Sequence, residues 1–270
     1  MTRPINAPLI TFTSDFGRSD WFVGVVHGAI HAIAPEARVV DLTHDVPLGH
    51  VARAAFVLEA AASDFPAGAV HLAVVDPGVG TARRALAVRA RGQTFVGPDN
   101  GILDWALADP AAIAHAATER RFFREPVSRT FHARDVFAPV AAHLALGVPL
   151  ESFGGRIRDP HRLDRSGPRR DDGRLIGRIA FVDHFGNALT NITEQDLSDA
   201  FPMVAPAALD VLVAGRALRG LARAYGDSKP GTLLAIIGSS GRLEIAQVAG
   251  DASARLGLGE GDEIAVRATR

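Results

Sequence analysis

The sequence predicts an α/β protein in which an N-terminal doubly wound domain with a mainly parallel sheet precedes a small antiparallel C-terminal β-barrel domain. Three observations predict it. Short β-rich runs alternate with longer amphipathic ones from Leu9 to Val75. A polar stretch with two prolines and no hydrophobic period, DPHRLDRSGPRRDDG (Asp159–Gly173), then interrupts the chain. After it come mostly short runs separated by turn residues.

Taken in order, LITFTSD, DWFVGVVHGAIHAIA, ARVVDLTHD, HVARAAFVLEAAASDF and AVHLAVVDPG read as β-α-β-α-β. Strands separated by helices of this length need crossovers of one hand, which makes the sheet parallel. RALAVRA and QTFVGP come next with short links and add antiparallel members at one side. DVFAPVAAHLALG closes the domain as a helix starting near Asp135, with Gly147 as its stop. The boundaries are therefore 1–160 for the first domain, 161–173 for a linker and 174–270 for the barrel. The barrel's strands lie in RLIGRIAFVDHFGNALTNI, ALDVLVAGRALRGLARAY, GTLLAIIGSSGRLEIAQVA and DEIAVRAT, with one short helix near Gly250–Leu256.

Composition narrows the function. The 270 residues carry a net charge of −1, so no global field attracts nucleic acid or an anionic membrane. The absence of cysteine excludes disulfides, thiol nucleophiles and thiolate metal sites. Lysine chemistry would fall to Lys229 alone. No apolar run reaches the roughly 18 residues of a membrane span, and the start MTRPINAP lacks a leader's charged-then-apolar layout, so the expected compartment is the cytoplasm.

Each of the three early strands ends in an acid: Asp15, Asp41 and Asp76. Ligands of open α/β sheets bind beyond the carboxyl ends of the strands, so Asp15 and Asp76 can converge on one pocket; for Asp41 a helix-capping role is the simpler expectation, and for Asp15 capping and ligand binding stand level. DPGVGTARR (Asp76–Arg84) puts Asp76 and Arg83 on one turn, where Gly78 and Gly80 let a ligand approach the backbone. A carboxylate and a guanidinium in one pocket can hold and polarise a water, above all if a histidine joins them. His132 in TFHARDVFAP is the best candidate for that histidine. His27 and His31 have the i, i+4 spacing of a helical metal pair, but no acidic third ligand is evident nearby, so the expectation is a packing role and no metal. His44 and His184 sit in polar segments that look like site edges. In VDHFGNALTN, Asp183 and Asn187 could bind ammonium and carboxylate and Phe185 could stack on a base, or the segment could be a plain β-turn.

Read together and in order, ITFTSDFG, PEARVVDLTHDVP, FPAGAVHLAVVDPGVGTARR, FVGPDNG, TFHARDVFAPVAAHLA, VDHFGN and GSSGRLEIA resemble the S-adenosyl-L-methionine (SAM) hydrolases, or SAM hydroxide adenosyltransferases, relatives of the SAM-dependent fluorinases and chlorinases. The resemblance implies hydrolysis of SAM to adenosine and L-methionine without a cofactor. It also implies a trimer whose sites lie between one subunit's N-terminal domain and a neighbour's C-terminal domain. Asp76, Arg83 and His132 fall on the family's water-activating set and Asp15 on its ribose-binding aspartate. Asp183, Phe185 and Asn187 fall on the turn lining the adenosine and methionine pocket, with Ser239, Ser240, Glu244 and Ala249 on the segment that completes it. The halogenases place an aromatic at the position of Asp76 and a serine at that of Ala133, where the hydrolases usually have glycine. Halide transfer and a non-catalytic SAM- or adenosine-binding module are the alternatives to hydrolysis.

Overall fold

Parallel strands need crossovers, and the first third of the chain supplies two helices for them: β1 (Leu9–Ser14), α1 (Phe22–Ile33), β2 (Arg38–Thr43), α2 (Val51–Ala62) and β3 (Val70–Val74) alternate as expected. These elements come from a computed structural model that describes residues 7–164 and 166–269. The first six residues of MTRPINAP, Arg165 of the polar segment and Arg270 lie outside the described residues. Two units result, Met1–Asp164 and Arg165–Arg270.

The first unit adds β4 (Ala85–Ala90), β5 (Gln93–Pro98), α3 (Asp104–Leu107), β6 (Ile113–Ala116), α4 (Ala138–Ala145) and β7 (Arg156–Ile157). Its seven-stranded sheet runs β2-β1-β3-β5-β4-β6-β7. β1 pairs in parallel with β2 and β3, and β3 in parallel with β5. β4 runs antiparallel to both β5 and β6, so the antiparallel members expected at one side begin at β4 and not at β5. Both faces are covered, which β3 shows directly. Val70, Leu72 and Val74 pack with Val26 and Ile30 of α1 on one face, while Ala73 and Val75 pack with Ala54 and Leu58 of α2 on the other. α4 does not begin as a simple helix near Asp135: a single π-helical segment, Ala133–Phe137, leads into it directly behind His132.

Both ends of the polar stretch 161–173 are held. The His161 N–H donates to Asp99 Oδ1 at 2.7 Å, and Arg162 pairs with Asp104. At the other end β8 (Arg169–Asp171) pairs with β9 (Arg174–Val182) across a tight Asp172–Gly173 turn.

The second unit continues with β10 (Ala188–Thr193), α5 (Glu194–Ala200), β11 (Leu209–Val213), β12 (Arg216–Arg219), β13 (Leu221–Ala222), β14 (Leu233–Ile237), β15 (Arg242–Gln247), α6 (Ala252–Leu256) and β16 (Glu263–Ala268). The strand order is β12-β11-β16-β9-β10-β15-β14-β13 with β8 on β9. The pairs are antiparallel except β13 with β14, and the sheet curls until β12 approaches β14, giving a nearly closed barrel around Ile179, Val211, Leu243, Ile245 and Val266. Among the described residues no helix is long and apolar enough to cross a membrane.

Candidate active site

Parallel alignment of β1 and β3 brings the residues just past each strand to one sheet edge, and a cleft of about 540 Å³ opens there, lined by Asp15, Leu48, Asp76, Phe131 and His132 among others. Asp15 is not a helix cap: α1 starts seven residues later without any side-chain cap, and Asp15 Oδ2 accepts the Gly49 N–H at 2.8 Å. Asp41 does not cap a helix either. It lies inside β2, opposite Phe12 of β1, and accepts from His27 Nε2 at 2.8 Å, outside the cleft lining.

The turn after β3 is built to present Asp76 and Arg83 together. Thr81 Oγ1 donates to the Gly78 carbonyl at 2.6 Å and accepts the Arg83 N–H at 3.3 Å, which folds the turn back on itself. Gly80, at φ +78°, meets protein and not a ligand: a Cβ there would lie 2.4 Å from the Arg129 carbonyl oxygen. Arg83 Nε donates to Asp76 Oδ1 and Oδ2 at 2.9 and 3.0 Å, and Nη2 donates to Asp76 Oδ2 as well. The same Nη2 donates to His132 Nδ1 at 2.8 Å. The guanidinium lies over the Phe137 ring, 4.9 Å from its centroid, and Asp76 and Arg83 are only 6% and 12% exposed. Arginine has no acceptor atom, so Nδ1 of His132 must be unprotonated and the neutral ring carries its proton on Nε2. Burial, and next the Arg83 charge, hold the imidazole below its ordinary pKa against the opposing charges of Asp76 and Asp135.

Sequence reasoning overlooked Asp135. Fully buried, it accepts the Ser128 N–H at 2.9 Å and pairs with Arg134, tying the 128–131 loop to the turn that carries His132. An acid three residues past a candidate histidine was visible, but its inward direction depends on the π segment.

In the second unit, Asp183 organises its own turn. Oδ1 accepts the N–H groups of Phe185 and Asn187 at 2.9 and 2.8 Å, and Oδ2 accepts Asn187 Nδ2 at 2.9 Å. Phe185 is left 74% exposed. Glu244, 6% exposed, accepts from Tyr225 Oη at 3.0 Å. Burial raises the Glu244 carboxyl, helped by the Asp183 charge and opposed by the Tyr225 hydrogen bond. Tyr225, pushed up to about 12 by burial and then by Glu244, is a second group that sequence reasoning missed. It is the chain's single tyrosine, but its place beside Glu244 comes from the tertiary fold. Ser240 Oγ is buried and has no hydrogen-bond partner among the described residues, whereas Ser239 is exposed. Ser239 and Ser240 precede β15 and Ala249, at φ +51°, comes after it, so the six residues of that strand separate them.

Of the remaining histidines, His31 and His184 are exposed, and His44 is no site edge: it is 2% exposed, with Nδ1 2.8 Å from Ser14 Oγ.

Family models match both units: the SAM hydroxide adenosyltransferase N-terminal domain over residues 10–154 and the corresponding C-terminal domain over 177–265. The chain belongs to the SAM hydroxide adenosyltransferase family. It is 41% identical over 266 residues to an (R)-S-adenosyl-L-methionine hydrolase of Salinispora tropica, with 97% of this chain and 98% of that protein covered. A fluorinase of Nocardia brasiliensis is a more distant relative, 30% identical over 218 residues, with 70% and 73% covered. Among solved structures, an uncharacterized conserved protein from Thermotoga maritima matches with a TM-score of 0.89 at 40% identity, over 96% of this chain and 99% of the other.

Proposed function

We propose that this protein hydrolyses SAM to adenosine and L-methionine by attack of water on the ribose 5′ carbon. The observation that carries the reading is the Arg83 guanidinium bridging Asp76 and His132 at the rim of a cleft that also holds Asp15. The names of the relatives specify the R configuration at sulfur, and that epimer is the proposed substrate. As the oxygen–C5′ bond forms, the C5′–S bond breaks and its electron pair returns to sulfur, leaving a neutral thioether. The leaving group therefore needs no proton from an acid, and the step calls for neither metal nor cofactor.

The water needs alignment and a route for its proton. His132 serves as a donor through Nε2–H, because Arg83 occupies Nδ1. Asp76 is then the group that receives the proton, with Arg83 fixing the carboxylate. Asp15 binds the ribose hydroxyls. Asp183, Phe185, Asn187, Ser239, Ser240, Glu244 and Ala249 bind the adenine and amino-acid ends, a role that the orphaned Ser240 hydroxyl and the exposed Phe185 ring support. The active form is a homotrimer in the cytoplasm, with each site completed by a neighbouring subunit.

Incubation with (R)-SAM and then chromatography tests the reaction: equimolar adenosine and methionine support it, and unchanged SAM overturns it in favour of a binding module. A 5′-halo-5′-deoxyadenosine formed in high chloride or fluoride in place of adenosine would mark a halide transferase. For the assembly, mixing inactive His132→Ala and Asn187→Ala proteins after dissociation should restore about one quarter of the sites of an equal mixture if two subunits share each site. No recovery in mixed trimers verified by mass contradicts the shared site.

A further inference from the structure

Among the described residues, one group of three metal-ligating side chains comes together: His27 of α1, Asp41 of β2 and His44 just after β2, with one donor atom from each within 4.8 Å of the others. His27 Nε2 lies 2.8 Å and His44 Nε2 3.1 Å from the same oxygen, Asp41 Oδ1. None of the three lines the catalytic cleft. We infer that His27, Asp41 and His44 form a binding site for a divalent transition-metal ion of the zinc class, fixing α1 to the end of β2.

The donor spacing suits such an ion. Metal–ligand bonds of about 2.0–2.1 Å in a tetrahedral or octahedral shell place neighbouring donors roughly 2.9–3.4 Å apart, so a small outward shift of each side chain admits the ion. Two imidazoles and one carboxylate, with no thiolate in the chain, favour zinc, cobalt or nickel over magnesium or calcium, which prefer all-oxygen shells.

A second observation points to a ligand independently. His44 Nε2 is buried 3.1 Å from Asp41 Oδ1, a favourable contact whose geometry falls short of a full hydrogen bond. In the tautomer that gives its Nδ1 proton to Ser14 Oγ, Nε2 turns a lone pair on that carboxylate oxygen, and a bridging cation would satisfy both. The other ring nitrogen already has the outer partner that metal-bound histidines use: Nδ1 lies 2.8 Å from Ser14 Oγ and can donate its proton there. His27 and Asp41 are 29% and 32% exposed, which leaves a solvent-facing side for entry and for water ligands. The nearby cation Arg18 is paired with Asp45 at 3.4 Å. On binding, His27 would ligate through Nε2 with its remaining proton on Nδ1, so the proton that Nε2 shares with Asp41 in the metal-free protein leaves that nitrogen, to solvent from an imidazolium or to Nδ1 from the neutral ring.

The site would brace the segment carrying Asp15, since Ser14 Oγ accepts the Phe16 N–H at 3.3 Å and the His44 carbonyl accepts the Gly17 N–H at 2.9 Å. Its existence does not depend on the proposed reaction, and its test needs no SAM. The chelator-treated 270-residue chain is titrated with Co²⁺ and Zn²⁺ while the visible d–d absorption of cobalt and the melting temperature are recorded. One ion per chain and a rise in melting temperature are expected. His27→Ala should weaken binding by at least the roughly 10–100-fold that loss of an outer-shell partner costs, and His31→Ala, which changes the neighbouring exposed histidine, should leave it intact. In wild-type crystals grown with zinc, anomalous scattering should place the ion between His27, Asp41 and His44. No saturable binding, equal binding by His27→Ala, or an ion seated elsewhere overturns the inference.

Discussion

Asp76 and Asp183 are carboxylates just beyond a strand, one in each unit, and the fold uses them differently. Asp76 accepts a guanidinium fork on a cleft wall and, through Arg83, is linked to an imidazole whose Nε2 proton is left to donate. Asp183 gives its oxygens to two N–H groups and an amide of its own turn, and what it presents outward is the Phe185 ring. The first arrangement concentrates charge where a proton can move. The second fixes its own turn. The same residue type at equivalent strand ends thus does different work according to what its oxygens accept, and on the proposed reaction the first serves chemistry and the second binding.

Breaking the first arrangement should have the largest effect. On the proposed reaction Asp76→Asn and Arg83→Ala each disable proton transfer, and turnover should fall on the order of 100- to 10,000-fold, roughly 3–5 kcal/mol of barrier, with SAM affinity changed far less. Steady-state kinetics on both variants checks this, and near-normal turnover in either would overturn that residue's part in proton transfer.

The units should also answer pH with opposite sign. His71, fully buried in β3 and hydrogen-bonded to Thr11, is lowered by burial from 6.5 to about 4. Below pH 6.5 the unfolded chain takes up a proton that the folded first unit refuses, so that unit loses roughly 3 kcal/mol as pH falls from 6.5 through 4. Glu244 is raised above 4.5, so the second unit is destabilised instead as pH rises from 4.5 through the folded value. Hydrogen-exchange protection measured separately in β3 and β15 between pH 4 and 8 reads both trends; parallel trends would contradict the burial argument.

Asp15→Ala should weaken adenosine binding through lost charge-assisted hydrogen bonds of roughly 1.5–3 kcal/mol each, a rise in Kd of about 10-fold or more. Calorimetry measures it, and an unchanged Kd would leave Asp15 only its contact with Gly49. The smallest expected shift is in the pH profile of turnover, and it is read at His132. Because its imidazole is held below the ordinary value, any acid limb that its protonation imposes on turnover should lie below pH 6.5, and His132→Gln should abolish that limb. A limb above pH 6.5 would sink the neutral-donor role.

Much of the fold and the site is legible in the sequence because it is local or periodic. The alternation from Leu9 to Val75 implies crossovers, crossovers imply a parallel sheet, and a parallel sheet brings the ends after β1 and β3 to one edge. Asp76 and Arg83 share one turn, so their pairing needs no tertiary knowledge. Asp41 misleads because an acid closing a β-rich run suggests that the strand has ended, whereas β2 continues to Thr43. The capping box of α5, Thr193 with Asp196, is a local signal that an emphasis on strands in the second unit obscures. The His27–Asp41–His44 cluster is hidden for a physical reason: its members meet only when α1 packs back over the β1–β2 pair. Tyr225 and Glu244 likewise meet only when the barrel closes.

Water aligned at Asp76, Arg83 and His132 is the proposed nucleophile at the 5′ carbon. A single turnover of (R)-SAM in ¹⁸O-labelled water follows its oxygen. One heavy oxygen is expected in the 5′-hydroxyl of adenosine and none in methionine. Adenosine without label, or label in the amino-acid product, would contradict it.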